Sequence, residues 1–411
     1  MKKYTYIFVI LNLIFLSNLN AQSETPGNNS TLSHFRELPG IGMELNYKGE
    51  VFSNVSGGME LKSVYLDNID LIFDFNLDEI LGWNGAKINA HILGNHGSDP
   101  TEYTGAAQGI SNIAAFETWK LYQFWIEQNF LNDNLSLLAG LFDLNSEFDT
   151  RETSGIFINP SHGIGAEYAL TGQNGPSIFP ATSLALRVRY NFSSSWDIKA
   201  AVFDGVPGDP ERPNGTYVRF NDGDGLLLSS ELTYKSASEE LNPGYFKYSI
   251  GGWYYTSEFE KLTPDVQGNK LYQRGNYGAY ISAEKYLVEE SMSSGQGLAG
   301  FIRLGFADNN VNQVNGYFGA GLHYTGIIPG RDEDVIGLAI ASVHNSNAYI
   351  NLMAQEDSPV ERFEHILELT YQFNLTGWLK IQPDIQYVIN PVNCDCNDHS
   401  FIFGTRLELA L

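Results

Sequence analysis

The amino-acid sequence predicts an all-β chain: a 16-stranded antiparallel transmembrane β-barrel with short periplasmic turns and long extracellular loops. Three observations carry this expectation. Sixteen segments alternate apolar and polar residues with period two, and no helical pattern of comparable length competes with them. Many of them are long, about 10 to 13 residues, where globular strands average about 5 to 6 and a tilted strand needs about 9 to 11 to cross a bilayer. The connections between them alternate short and long, as a barrel with one loop-bearing end requires.

Taken from the N-terminus, residues 1–21 (MKKYTYIFVILNLIFLSNLNA) read as a secretory signal, with Lys2 and Lys3 ahead of an apolar run from Tyr6 to Leu16 and a small residue at Ala21. Residues 22–40 are expected to form a short periplasmic N-terminal segment, and 41–411 the barrel. Strands are expected at 41–52, 64–76, 85–96, 119–130, 135–146, 183–192, 196–205, 225–235, 245–257, 276–286, 297–307, 313–324, 335–345, 363–373, 377–390 and 400–411. After the leader no run of about 18 apolar residues could span a bilayer as a helix.

The alternation is clearest in four segments. LALRVRYNF sets Leu184, Leu186, Val188, Tyr190 and Phe192 against Arg187, Arg189 and Asn191. FKYSIGGWYYT sets Phe246, Tyr248, Ile250 and Tyr254 against Lys247, Ser249, Trp253 and Tyr255. WLKIQPDIQYVINP sets Leu379, Ile381, Ile385, Tyr387 and Ile389 against Lys380, Gln382, Asp384 and Gln386, and Pro383, lacking a donor, predicts a bulge or a missing ladder bond. FIFGTRLELAL sets Phe401, Phe403, Leu407, Leu409 and Leu411 against Arg406 and Glu408. In lipid every backbone polar group must be paired within the protein, so the sheet closes on itself and the apolar face meets hydrocarbon. Sixteen strands then enclose water, and the polar face is the inner one.

Tight connections are expected at 131–134, 193–195 and 374–377, and long ones at 97–118, 147–182, 206–224, 258–275 and 346–362. Residues 307–310 are short where a long loop is due, and 325–334 are longer than their side requires. The formal charge is −24, with no offsetting basic patch, which argues against nucleic acid as a partner. Two cysteines, Cys394 and Cys396, are too few for a disulfide framework and are expected to form a local disulfide or an inert thiol pair rather than a metal site.

GEVFSNVSGG (49–58), GWNGAKINAHILGNHG (82–97), LYQFWIEQNFLNDNLSLLAGLFDLNSEFD (121–149) and WLKIQPDIQYVINP (378–391) resemble the carbohydrate-selective porins of the OprB family. The resemblance implies a 16-stranded outer-membrane porin that passes sugars by diffusion, with outer-membrane lipids around it, no cofactor and no enzymatic activity. A subunit seam is not legible, so a homo-oligomer is left open. The substrate path is expected along inward-facing Trp125, Glu127, Arg187, Arg189 and Arg303, then Glu50, Lys87, Trp253, Tyr255 and Asp384. Such residues suit sugars because charged groups hydrogen-bond hydroxyls while Trp and Tyr faces pack on a pyranose. The segment 149–183 either folds into the mouth as a constricting loop or packs as a surface lid.

NDGDG at 221–225 is expected to be a tight turn, since the acidic spacing of a full Ca²⁺ loop is missing. No G-x-S-x-G, H-E-x-x-H or Gly-rich phosphate loop occurs, and Glu364 and Glu368 on one strand face fit a lumen lining as well as a glycosidase pair. Two other readings remain: a binding or structural barrel without transport, whose lumen loops would fill, and a secreted β-rich glycan hydrolase.

Overall fold

The computed structural model describes residues 39–209, 211–236, 241, 243–290, 295–392 and 399–411. The expected leader, nearly all of the N-terminal segment and both cysteines lie outside these residues.

All sixteen expected strands are present: β1 (Ile41–Ser56), β2 (Ser63–Asn76), β3 (Ala86–Gly97), β4 (Thr118–Phe130), β5 (Leu135–Phe142), β6 (Ser183–Ser193), β7 (Trp196–Asp204), β8 (Leu226–Lys235), β9 (Phe246–Glu260), β10 (Tyr272–Glu289), β11 (Gly297–Ala307), β12 (Val314–Thr325), β13 (Val335–Asn345), β14 (Phe363–Thr376), β15 (Leu379–Ile389) and β16 (Ser400–Ala410). Each pairs antiparallel with the next, and β1 pairs with β16, closing the barrel. The seam is in register at Lys48 with Glu408 and Glu50 with Arg406. No described helix is long and apolar enough to cross a membrane.

Side chains sort as the alternation requires. Leu186 is 67% exposed on the outside of β6 while its neighbour Arg187 is 2% exposed inside, and Ile302 and Arg303 on β11 stand at 46% and 1%. Exposed Trp83, Trp196 and Trp378 sit at the short-turn end, where amphipathic rings anchor a barrel at the interface. β5 stops at Phe142, four residues before the expected boundary. There the Asp143 carboxylate accepts from Asn145 N–H and starts a 3₁₀ turn, diverting the chain inward. At Pro383 no bulge forms. The β15 ladder to β16 runs through Pro383 without a shift, whereas on the β14 side the pairing skips from Thr370 to Phe373.

Two connections from the long-loop end, 98–117 and 143–182, turn back into the barrel. Leu144, Phe148, Ile164 and Tyr168 of the second pack on Phe203, Leu227, Trp253 and Tyr255 of β7–β9. Ala106, Ile110 and Ile113 of the first, with Ile158 of the second, pack on Phe52, Leu66, Ile366, Val388 and Ile402. Burial of each such large side chain is worth about 1.5–3 kcal/mol, so docking the loops in the lumen is favoured by packing alone. The interior is therefore not uniformly wet: apolar loop surface covers the long-loop half of the wall along two arcs.

Candidate functional site

The wall was built to receive these loops. Glutamates on the inner face accept backbone N–H groups of the loops, which would otherwise be buried without partners. Glu231 on β8 accepts from Asp149 N–H at 2.8 Å, Glu284 on β10 from Thr153 N–H at 2.8 Å, and Glu368 on β14 from Ile158 and Asn159 N–H at 2.5 and 3.1 Å. Glu364 takes Ala107, Gln108 and Val392, and Glu50 takes the Ser111 hydroxyl. Three of these acids face a cation across the ladder, in the register pairs Glu50 with Arg406, Glu231 with Lys199 and Glu284 with Lys247. One side of each carboxylate is thus neutralised by the wall while the other holds a loop. Glu364 and Glu368, read from the sequence as a lumen lining or a glycosidase pair, are loop anchors of this kind.

Arg303 holds the long loop at its turn. Its Nε donates to both Asp149 oxygens at 2.9 Å and its two terminal nitrogens to Glu167 at 2.7 and 2.8 Å, with the rings of Tyr280 and Tyr317 about it, their centroids 5.1 and 5.0 Å from the guanidinium carbon. Burial pushes the Asp149 carboxyl up, but Arg303 and Arg151 outweigh it and hold it below the usual value. His162, between Phe157 and Phe301, is pushed down by burial and then by Arg151 to about 3, so it stays neutral.

The ten residues expected on the substrate path all lie on the inner face, and most meet loops or each other. Glu127 accepts from Ser136, Arg187 and Arg189, and Arg187 also reaches Glu147 at 2.7 Å. Trp125 packs edge-on against Phe142. Trp253 stacks on Tyr168 with ring centroids 5.0 Å apart and planes 8° apart, so the face that would meet a pyranose is occupied by the loop; Tyr255 is covered beside it. Asp384 is buried against Glu368 and Gln386. Lys87 stands exposed at the short-turn end. The loop at 221–225 is a turn in which Asp224 N–H donates to Asn221 C=O and the Asp224 carboxylate accepts from Asn221 N–H.

Open space lies elsewhere. A cavity of about 610 Å³ runs between the two folded loops and the wall of β1–β4, with Asp70, His91, Tyr122 and Asp143 in its lining. A second, of about 350 Å³, lies on the short-turn side of the long loop against β10–β16, lined by Glu152, His323, Gln372, Lys380 and Glu408 among others. Lys48 and Asn112 belong to the walls of both. None of the ten expected residues lines either cavity. Lys48 and Asp70 share inward parity with Glu50 and Asp74, so alternation could have pointed to Lys48; Asn112 and Asp143 are loop residues and left no periodic signal.

A closed sixteen-stranded barrel, apolar outside and with a long loop folded into its lumen, is an outer-membrane channel of porin type. The chain belongs to the OprB family of carbohydrate-selective porins, whose profile, described as "Carbohydrate-selective porin, OprB family", matches residues 62–411. It is 26% identical to Porin B of Pseudomonas aeruginosa over 404 residues, covering 90% of this chain and 87% of that one. To the putative porin QuiX of Acinetobacter baylyi it is 21% identical, with 91% and 90% covered. The high-pH structure of Pseudomonas putida OprB superposes with a TM-score of 0.79 at 22% identity, covering 90% of this chain and 94% of that one, a likeness of fold. The protein is a sugar channel of the outer membrane and not an enzyme.

Proposed function

We propose that mono- and small oligosaccharides diffuse passively down their gradient through the space between the folded loops, entering at the long-loop end, which faces outside. The observation that carries this is the pair of cavities on the two sides of the long loop, with polar groups in their linings, that share Lys48 and Asn112 in their walls. A sugar moving from one to the other passes carboxylates, an imidazole, a phenol, amides and an ammonium, which exchange hydrogen bonds with hydroxyls one at a time. Contacts of that kind are weak and repeated, and tight binding would stop exit. The site residues that serve this path are Lys48, Asp70, His91, Asn112, Tyr122 and Asp143.

A lumen closed along this particular path is the second reading, and it is favoured by the extent to which loops fill the long-loop half of the lumen. Reconstitution into liposomes loaded with an impermeant sugar separates the two. Swelling in isotonic glucose or a disaccharide, absent from empty vesicles, is the expected result; swelling equal to the empty vesicles ends the sugar-channel reading of this path.

A further inference from the structure

Lys48 differs from the other inward cations of the mid-barrel wall. Arg406 is paired with Glu50, Arg187 with Glu127, Lys199 with Glu231 and Arg303 with Asp149 and Glu167. Lys48 makes no hydrogen bond or ion pair with any described residue. The acids around it are already taken. Its register partner Glu408 has Lys380 at 3.9 Å, Asp70 has His91 at 2.8 Å and Glu50 has Arg406. Its ammonium is therefore surplus positive charge, placed in the wall that the two cavities share.

The larger cavity has the opposite sign. Asp70, Asp99 and Asp143 all line it. Asp143 accepts from the Tyr122 hydroxyl at 2.8 Å and from Asn145 N–H, the Asp99 carboxylate accepts from Thr101 N–H, and neither carboxylate forms an ion pair among the described residues. Asp99 lies on the loop at the long-loop end and Lys48 in the wall shared with the second cavity, so an anion in this cavity faces carboxylates and a cation that they admit faces Lys48 on leaving it.

We propose that these are two filters in series, an acidic antechamber that turns back anions and the Lys48 neck that turns back cations, so that the channel selects sugars that carry no charge. This deepens, and rests on, the reading of the lumen as a sugar path. Two unit charges a few ångströms apart interact by about 1 kcal/mol even in bulk water, which corresponds to a factor of roughly five, and by more in a neck walled with protein. Neither filter needs to bind a neutral solute, so selectivity of this kind costs little flux.

The test compares liposome swelling in glucose, glucosamine (cationic) and glucuronate (anionic) at pH 7.5 and matched ionic strength. Wild type is expected to pass glucose faster than either charged sugar. In Lys48→Gln the glucosamine-to-glucose ratio is expected to rise about fivefold or more, and in Lys48→Arg, which keeps the charge, to stay at the wild-type value. In Asp143→Asn the glucuronate-to-glucose ratio is expected to rise instead. Each variant is first shown to be folded by its heat-modifiable migration on a gel, and Lys48→Met stands in for Lys48→Gln if the latter does not fold. A glucosamine ratio unchanged on neutralising Lys48, with glucose still passing, overturns the series filter and leaves the sugar channel standing. Loss of glucose swelling in the wild type overturns the channel reading itself.

Discussion

At the level of single residues, the structure depends on charges that are buried only because each has a partner. Arg303 neutralises Asp149 and Glu167, and all three are fully enclosed. Removing the cation strands two carboxylates, a change that costs about 3–5 kcal/mol in comparable buried pairs. Arg303→Met is therefore expected to loosen the long loop rather than dissolve the barrel, raising single-channel conductance in planar bilayers while lowering the temperature of the gel-mobility transition. Asp143 behaves differently. Burial raises its carboxyl to about 6, against the pull of Tyr122, Asn145 N–H and His91. It is thus neutral below that pH and charged above it. Reversal potentials in a salt gradient should show cation preference increasing as pH rises through about 6, and Asp143→Asn should remove that step. This residue shows where sequence reading ran out: an aspartate just past a strand end carries no period, and its importance comes from the chain turning inward at that point.

Among the elements, the 143–182 loop has the most to lose in acid. His162 has a folded value of about 3, below the ordinary 6.5, so the unfolded chain takes up its proton first. The stability this group contributes is fully present above about pH 6.5 and is lost as pH falls toward about 3. Asp149, held below its ordinary value, adds loss in the same direction as acid protonates it. Conductance is thus expected to become larger and noisier between pH 6.5 and pH 4, and His162→Phe, which keeps a ring between Phe157 and Phe301, should shrink that change. Glu284→Ala removes the acceptor of Thr153 N–H and is expected to cost about 1.5–3 kcal/mol of loop docking. Its readout is passage of sugars larger than the wild-type limit in the swelling assay. The sequence offered constricting loop and surface lid as equals for this segment. Nothing local decides between them, because the deciding groups, Glu231, Glu284 and Glu368, lie 82, 131 and 210 residues further along the chain from the N–H groups they hold.

Over the whole molecule, the two faces of the wall impose opposite demands on adjacent positions. Ile302 faces hydrocarbon at mid-strand and Arg303 faces inward. Ile302→Arg is expected to destabilise the barrel by about 2–4 kcal/mol, measured by the urea midpoint of folding into lipid vesicles. Strand number, strand order and the outward set were legible because period two repeats sixteen times and lipid tolerates no exception to it. The inner face was legible only as a set of residues. Alternation assigns Trp253, Glu127 and Lys48 the same side, yet the long loop covers the first, Ser136, Arg187 and Arg189 of the wall enclose the second, and the third lines both cavities, and no local pattern encodes which.

The two apolar arcs under the folded loops have a consequence for engineering and for drift. The two cavities lie against β1–β4 and β10–β16, while the arc from β7 to β9 lies under the long loop and lines neither. The two sectors are therefore free to vary under separate pressures: one answers to what must get through, the other only to how firmly its lodger is seated.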